Sequence, residues 1–118
     1  MQDFKQLQVW QKSHSLVLDV YAETAAFPKA EMFGLTSQIR RASVSIAANI
    51  AEGSSTGSDK EFAKFLRISA ASASEVEYFS ILVLELGLLD QHAAGKWGQD
   101  VSEIRRMICG LLASFKKS

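Results

Sequence analysis

The chain has one proline, Pro28, one cysteine, Cys109, two histidines and no excess of charge of either sign among its 118 residues. A lone cysteine excludes an intramolecular disulfide, and the first residues are polar and mixed in charge, unlike a signal peptide, so a reducing cytoplasm is the expected location. Thirteen basic and thirteen acidic side chains cancel, which removes any strong global field toward DNA or an anionic membrane. Any nucleic-acid surface must then be a local patch. The longest apolar run, Phe79 to Leu89, is interrupted by Glu85 and falls short of the ~20 residues a bilayer span needs, so no membrane partner is expected. Paired cysteines at zinc spacing, His-Glu-x-x-His and the Glu plus Glu-x-x-His pattern of di-iron bundles are all missing, which predicts no metal site and no cofactor.

What is present is a globular composition, 47% hydrophobic and 22% charged, in a length that suits one core, so residues 1–118 read as a single domain. From Phe4 to about Ala25, Leu7, Trp10, His14, Val17 and Tyr21 recur at three- and four-residue spacing and predict a first helix with that face buried. Pro28 disfavours helical backbone at Phe27 and Gly34 adds a flexible point, so the chain turns between Ala26 and Gly34. A second helix starts near Leu35, with Leu35, Ile39, Ala42, Ile46, Asn49 and Ile50 inward and Gly53 placed to end it in a left-handed conformation. Ser58 followed by Glu61 is the capping-box pattern that starts a third helix, whose inward face is Phe62, Phe65, Leu66, Ser69, Ala73, Val76 and Val83 and whose end is marked by Gly87. Asp90 is the candidate cap of a fourth, carrying Trp97, Val101, Ile104, Ile108, Leu111, Leu112 and Phe115, with Lys116 and Lys117 at its negative end. Gly95 and Gly98 leave the start of that helix open. Four amphipathic helices with short connections predict an all-α, antiparallel up-down four-helix bundle.

The second helix is nearly uncharged and has too little polar surface to face water on any side but one. If its Leu35 to Ile50 stripe faces the core, Ser43, Val44, Ala47 and Ala51 fall on its side and back, and on the third helix Tyr78, Ile81 and Leu82 point away from the core stripe. Such surfaces suit helix–helix contacts, and homo-oligomerisation is favoured over cover by loops or irregular packing within a monomer; symmetry alone suggests a dimer. Two arginines interrupt the apolar pattern. Arg41 projects toward Gln38, Ser45 and Glu52, where an internal or intersubunit ion pair is expected, and Arg40 is placed to reach solvent. Asn49 reads as a buried polar group held by hydrogen bonds.

Groups able to do chemistry are sparse and lie in different segments. His14 falls on the core stripe of the first helix as a structural histidine, His92 is polar surface near a helix start, and Cys109 beside the fourth apolar stripe is a small packing residue. The loop Gly53 to Ser58 lacks the Gly-Lys-Ser/Thr of a nucleotide loop, so a plain connection is favoured over an anion site. Lys60, Lys64 and Arg67 stand at i, i+4 and i+7, one ridge of the third helix that suits a phosphate backbone, although Asp59 and Glu61 nearby also fit an ordinary solvated face.

Trp10, Phe27-Pro28, Glu31, Phe33-Gly34-Leu35, Gln38, Arg40-Arg41-Ala42, Ser45-Ile46, Asn49-Ile50-Ala51-Glu52-Gly53, Glu61-Phe62, Phe65-Leu66 and Glu75 together resemble the four-helix-bundle proteins encoded in intervening sequences of bacterial 23S ribosomal RNA genes. The resemblance spans the first three helices and implies antiparallel bundles assembled as homopentameric rings, in place of a dimer. Similar proteins include the accessory variability determinant of diversity-generating retroelements, a pentamer that binds nucleic acid and a reverse transcriptase through basic surface. This chain departs from the family's frequent Ala-Arg-Gly-Ser in the third helix, carrying Ser69-Ala70-Ala71-Ser72 and one arginine fewer.

The functional expectation is a non-enzymatic cytoplasmic homopentamer that binds structured RNA or another nucleic acid through Lys60, Lys64, Arg67 and Arg40. Its expected oligomer interface draws on Val44, Ala47, Ala51, Tyr78, Ile81 and Leu82, with Gln38, Arg41, Asn49 and Glu52 as structural polar residues. The alternative is a protein-interaction scaffold, with a nucleic-acid-processing protein among its candidate partners. An enzyme is the reading with least support, since no nucleophile, base and metal set assembles from these residues.

Overall fold

Side-chain caps set where the long helices begin. Ser58 Oγ accepts a hydrogen bond from the Glu61 amide at 3.3 Å, and Asp90 Oδ1 accepts one from the Ala93 amide at 2.8 Å, each satisfying an amide that the first helical turn leaves free. The computed structural model describes residues 3–116, which form α1 (Gln8–Thr24), α2 (Leu35–Ser54), α3 (Asp59–Glu85) and α4 (Gln91–Phe115). Short 3₁₀ turns at Phe4–Gln6 and Lys29–Glu31 precede α1 and α2, the second placed directly after Pro28. The expected role of Lys117 at the end of α4 lies outside the described residues. No strand is present among the described residues.

Each helix packs on its sequence neighbour, and α1 closes against α4, giving the antiparallel four-helix bundle that the spacing predicts. Its interior is one cluster running from Val9 and Leu16 through Ile39, Ile46, Leu66 and Val76 to Trp97 and Ile104. Leu16, Ile39, Ile46, Ile50, Leu66, Ile104 and Ile108 are fully buried, and each such side chain contributes about 1.5–3 kcal/mol relative to exposure. Hydroxyls within the core satisfy themselves locally. Ser13 donates to the Val9 carbonyl at 2.7 Å and Thr24 to the Val20 carbonyl at 2.7 Å, while Ser69 of α3 crosses to the Ile46 carbonyl of α2 at 2.8 Å.

Three sequence expectations are corrected, and the open start of α4 is settled. The buried face of α1 is Val9, Ser13, Leu16, Val20 and Thr24, about one residue round from the expected stripe, so His14 is exposed and stacks on Trp10 at 4.8 Å. Serine and threonine are the reason: counting them as polar hides a face on which they bond to their own helix. Gly53 does not end α2; it is buried inside the helix, where a Cβ would come within 2.7 Å of Phe65 Cβ and 2.9 Å of Phe62 Cδ1. Its lack of a side chain lets α3 approach, and the left-handed backbone falls instead at Gly57, with φ of 74°. Gly95 and Gly98 sit within an unbroken α4 that starts at its Asp90 cap. Cys109 is exposed rather than packed.

Candidate nucleic-acid and assembly surfaces

Because α3 starts and α4 ends at the same end of the bundle, here called the lower end, the last turn of α4 lies beside the first turns of α3. Lys60, Lys64 and Arg67 are all exposed on α3, and over seven residues their ridge rises about 10 Å. None of the three makes an ion pair among the described residues. Asp59, Lys60, Ala63 and Arg67 line a cleft of about 430 Å³ whose far wall is Leu112, Phe115 and Lys116 of α4, so three cations and one carboxylate border it. Lys116 thus joins the basic ridge from another helix. Sequence reasoning assigned that lysine only to the helix end, since the partnership follows from antiparallel packing and not from local spacing. Phe115 packs on Phe62 with ring centroids 5.4 Å apart, which holds the floor of the cleft.

Arg40 does not join this group. It stands near the start of α2, at the upper end, where its Nε donates to Thr24 Oγ1 at 2.9 Å and its guanidinium lies 4.5 Å over the Tyr21 ring. Half-buried, it ties α2 to α1 instead of reaching freely into solvent. Arg41 is exposed and makes no ion pair among the described residues, where the internal form of the internal or intersubunit pair expected for it does not occur. Gln38 and Glu52 are exposed as well. Asn49 is half-buried and donates through Nδ2 to the Ser45 carbonyl at 2.8 Å and to Ser45 Oγ at 3.0 Å, the hydrogen-bonded role its position implied.

The six expected interface residues divide by burial. Val44, Tyr78 and Ile81 are exposed on the single chain, Leu82 and Ala51 are half-buried, and Ala47 is covered by the chain's own packing at 7% exposure. Part of the small-residue surface is therefore consumed internally: Ser43 is buried, and Ser45 Oγ and Ser72 Oγ meet at 2.8 Å across the α2–α3 seam.

One charged cluster was missed. Asp100 of α4, 8% exposed, pairs with Lys12 of α1 at 3.2 Å and with Lys96 at 3.2 Å, while Lys12 also reaches Glu103 and Lys96 reaches Asp19. The hydrogen bonds to Asp100 and then Glu103 hold the Lys12 ammonium above its usual pKa. Those to Asp19 and then Asp100 do the same for Lys96. This network joins α1 to α4 along the seam between the first and last helices, and its only sequence signal is the i, i+4 pair Lys96 and Asp100. On the α3–α4 seam, Arg105 donates to Glu77 at 2.7 Å and to Ser74 at 3.1 Å, and the first of these bonds holds the Glu77 carboxyl below its usual range.

His14, His92 and Cys109 are all exposed but do not converge: His14 is on α1, His92 at the start of α4 and Cys109 near its end. No cluster of three or more His, Cys, Asp or Glu side chains suited to a metal occurs among the described residues. No helix of the described residues is long and apolar enough to cross a membrane.

Comparison with known proteins gives a consistent family assignment. The model of the 23S rRNA-intervening sequence protein family matches residues 5–110. A crystal structure of a protein of unknown function from the S23 ribosomal protein family of Bacteroides thetaiotaomicron superposes with a TM-score of 0.78 at 24% identity, covering 88% of this chain and 97% of that one. That likeness shows a shared fold. No curated protein matches the chain.

Proposed function

The chain belongs to the 23S rRNA-intervening sequence protein family, and we propose that it is a non-enzymatic cytoplasmic homo-oligomer, a pentamer as the family resemblance implies, that binds structured RNA through the lower-end basic cleft. The observation that carries this reading is the placement of Lys60, Lys64 and Arg67, all exposed and without ion pairs among the described residues, with Lys116 facing two of them across a cleft. Four cations within one helical end outnumber Asp59 and Glu61 beside them and offer a local phosphate-binding patch in a chain of zero net charge. Repetition of a weak patch around an oligomer raises the overall affinity without new contacts.

The test is a titration of the purified protein against a structured ribosomal RNA fragment over a salt series. Binding should weaken steeply as salt rises, and Lys64→Glu should both weaken it and flatten its salt dependence by roughly one released ion for each phosphate no longer neutralised. Unchanged affinity and slope in that variant would exclude the ridge as the binding surface. A second reading, a protein-interaction scaffold, draws on the exposed apolar side chains Tyr78, Ile81 and Leu86 at the other end. Absence of RNA binding at low salt, with a partner captured in a nuclease-resistant pull-down, favours it.

A further inference from the structure

The second helix opens without a side-chain cap. Gly34 holds the cap position and accepts the first bond into the helix, from the Gln38 amide at 3.0 Å, so the amides of Leu35, Thr36 and Ser37 have no partner within the helix. They mark its positive end. Beside this first turn, at the upper end of the bundle, is a shallow cleft of about 430 Å³, within the range of small-molecule sites. Thr36, Ser37, Arg40 and Arg41 form its α2 wall as far as Val44, and Tyr21 of α1 and Phe33 of the connection before α2 complete it.

Charge, an orphaned hydroxyl and an uncovered ring meet in this lining. Its charged groups are Arg40 and Arg41; Glu23 and Glu31 of the adjoining segments are not part of the wall. Thr24 and the Tyr21 ring hold Arg40 in place through its Nε and one face, and its terminal nitrogens make no hydrogen bond among the described residues. Arg41 makes no ion pair among them. A guanidinium fixed in this way presents a planar fork that matches phosphate oxygens. Thr36 Oγ1 is buried without a hydrogen-bond partner among the described residues, whereas Thr24, also in a helix, donates to the carbonyl four residues back. Phe33 is 97% exposed, an aromatic face that the packing of the chain leaves uncovered and that suits stacking of a base.

We propose that this upper-end cleft binds a nucleoside monophosphate unit, with its phosphate on Arg40 and Arg41 at the first turn of α2 and its base stacked on Phe33. On binding, Thr36 changes χ1 well, one of two open to threonine in a helix, and donates its hydroxyl to a phosphate oxygen. The positive end of α2 adds to the attraction. The site is at the opposite end of the bundle from the lysine cleft and stands whether or not that cleft binds RNA. A free nucleotide and the 5′ end of a single strand present the same phosphate and base, and either fits. The interior of a duplex does not, because its bases are stacked on one another and unavailable to Phe33.

The experiment titrates adenosine 5′-monophosphate into the full-length protein by calorimetry at low salt, beside ribose 5-phosphate and phenyl phosphate, with mass followed by sedimentation. The nucleotide should saturate and bind at least about fivefold tighter than ribose 5-phosphate, the smallest gain expected from stacking a base. Arg41→Ala should weaken it by about tenfold or more. Phe33→Ser should erase the advantage over ribose 5-phosphate and leave the affinity for that sugar phosphate unchanged. Thr36→Val separates binding from folding: loss of an unpaired buried hydroxyl should raise the Tm while nucleotide affinity falls. Lys64→Glu should leave this titration unchanged, so failure of the RNA reading and failure of this site are read apart. A 5′-phosphorylated single-stranded oligonucleotide that binds more tightly than both its 5′-hydroxyl form and the mononucleotide supports a strand end as the ligand, and equal binding to the mononucleotide supports the free nucleotide. Absence of saturable nucleotide binding, or ribose 5-phosphate binding equally well, would overturn the proposal. Phenyl phosphate binding as tightly as the nucleotide would overturn it too, in favour of a phosphorylated side chain. So would a changed sedimenting mass in Phe33→Ser with nucleotide affinity untouched, since the cleft is then a contact between copies.

Discussion

The two ends of this bundle are built from the same four helices and treat apolar groups in opposite ways. At the lower end Phe62 packs on Phe115, and Gly53 lets α2 and α3 come close enough that no space remains for a methyl group, while the surface carries Lys60, Lys64, Arg67 and Lys116 alongside Asp59 and Glu61. At the upper end Phe33, Tyr21, Ile81 and Leu86 remain exposed. One end completes its own packing and presents cations; the other is a finished fold with unfinished apolar surface. The difference shows that stability and interaction are assigned to different stretches of the same helices.

Glycine provides the sharpest contrast. Gly53→Ala should destabilise the protein by about 1–3 kcal/mol, the cost of overpacking against Phe65 and Phe62, despite alanine's intrinsic advantage of about 1 kcal/mol in a helix. Thermal melting reads the sign directly, and a raised Tm would mean that the close approach is not tight. Removing the buried end of the α1–α4 network is next in size: Asp100→Ala takes the shared partner from Lys12 and Lys96, which stay solvent-accessible and keep Glu103 and Asp19, and should cost about 0.5–1 kcal/mol by denaturant titration. At the upper end, Gly95→Ala is expected to stabilise the single chain by about 0.5–1 kcal/mol, since the position is helical and open. Opposite signs at Gly53 and Gly95 would establish the contrast, and equal signs would remove it.

Smaller effects follow from charge. Glu77 has its folded-state pKa lowered by the Arg105 hydrogen bond, so its contribution is present above its usual value of 4.5 and is lost as pH falls through the lower folded value. The stability difference between wild type and Glu77→Gln should therefore narrow on acidification, and a gap that stays constant down to strongly acid pH would contradict the pairing. For Lys12 and Lys96 the sign is reversed: with folded values raised, their contribution is complete below 10.5 and declines only as pH climbs through the raised values. Smallest of all, Lys64→Glu should move stability by less than about 0.5 kcal/mol, because the side chain is exposed and makes no ion pair among the described residues. Its effect belongs to the RNA titration alone.

Periodicity and caps are legible in the chain of residues alone. Ser58, Asp90 and Gly87 mark the boundaries expected of them, and the inward residues of α3 and α4 agree with the observed core at Phe62, Leu66, Val76, Trp97 and Ile104. On α1 the expected face differs from the observed one because Ser13 and Thr24 are polar in composition yet bonded to carbonyls of their own helix. The basic ridge is visible as spacing on one helix. Lys116 opposite it, the Arg40 stack on Tyr21 and the Lys12 to Asp100 bond are not, since each joins residues of different helices.

By itself, then, the sequence determined the helices, their order and the antiparallel bundle, because hydrophobic period, caps and breaks are local properties that each segment carries alone. Only the tertiary structure decided that Gly53 is a contact and not a stop, that Ala47 is core, and that Lys116 of α4 stands across a cleft from Lys60 and Arg67 of α3. Those outcomes depend on the rotation of each helix about its axis and on which helices become neighbours. Both are settled when all four apolar faces are buried together, a condition that no single segment contains.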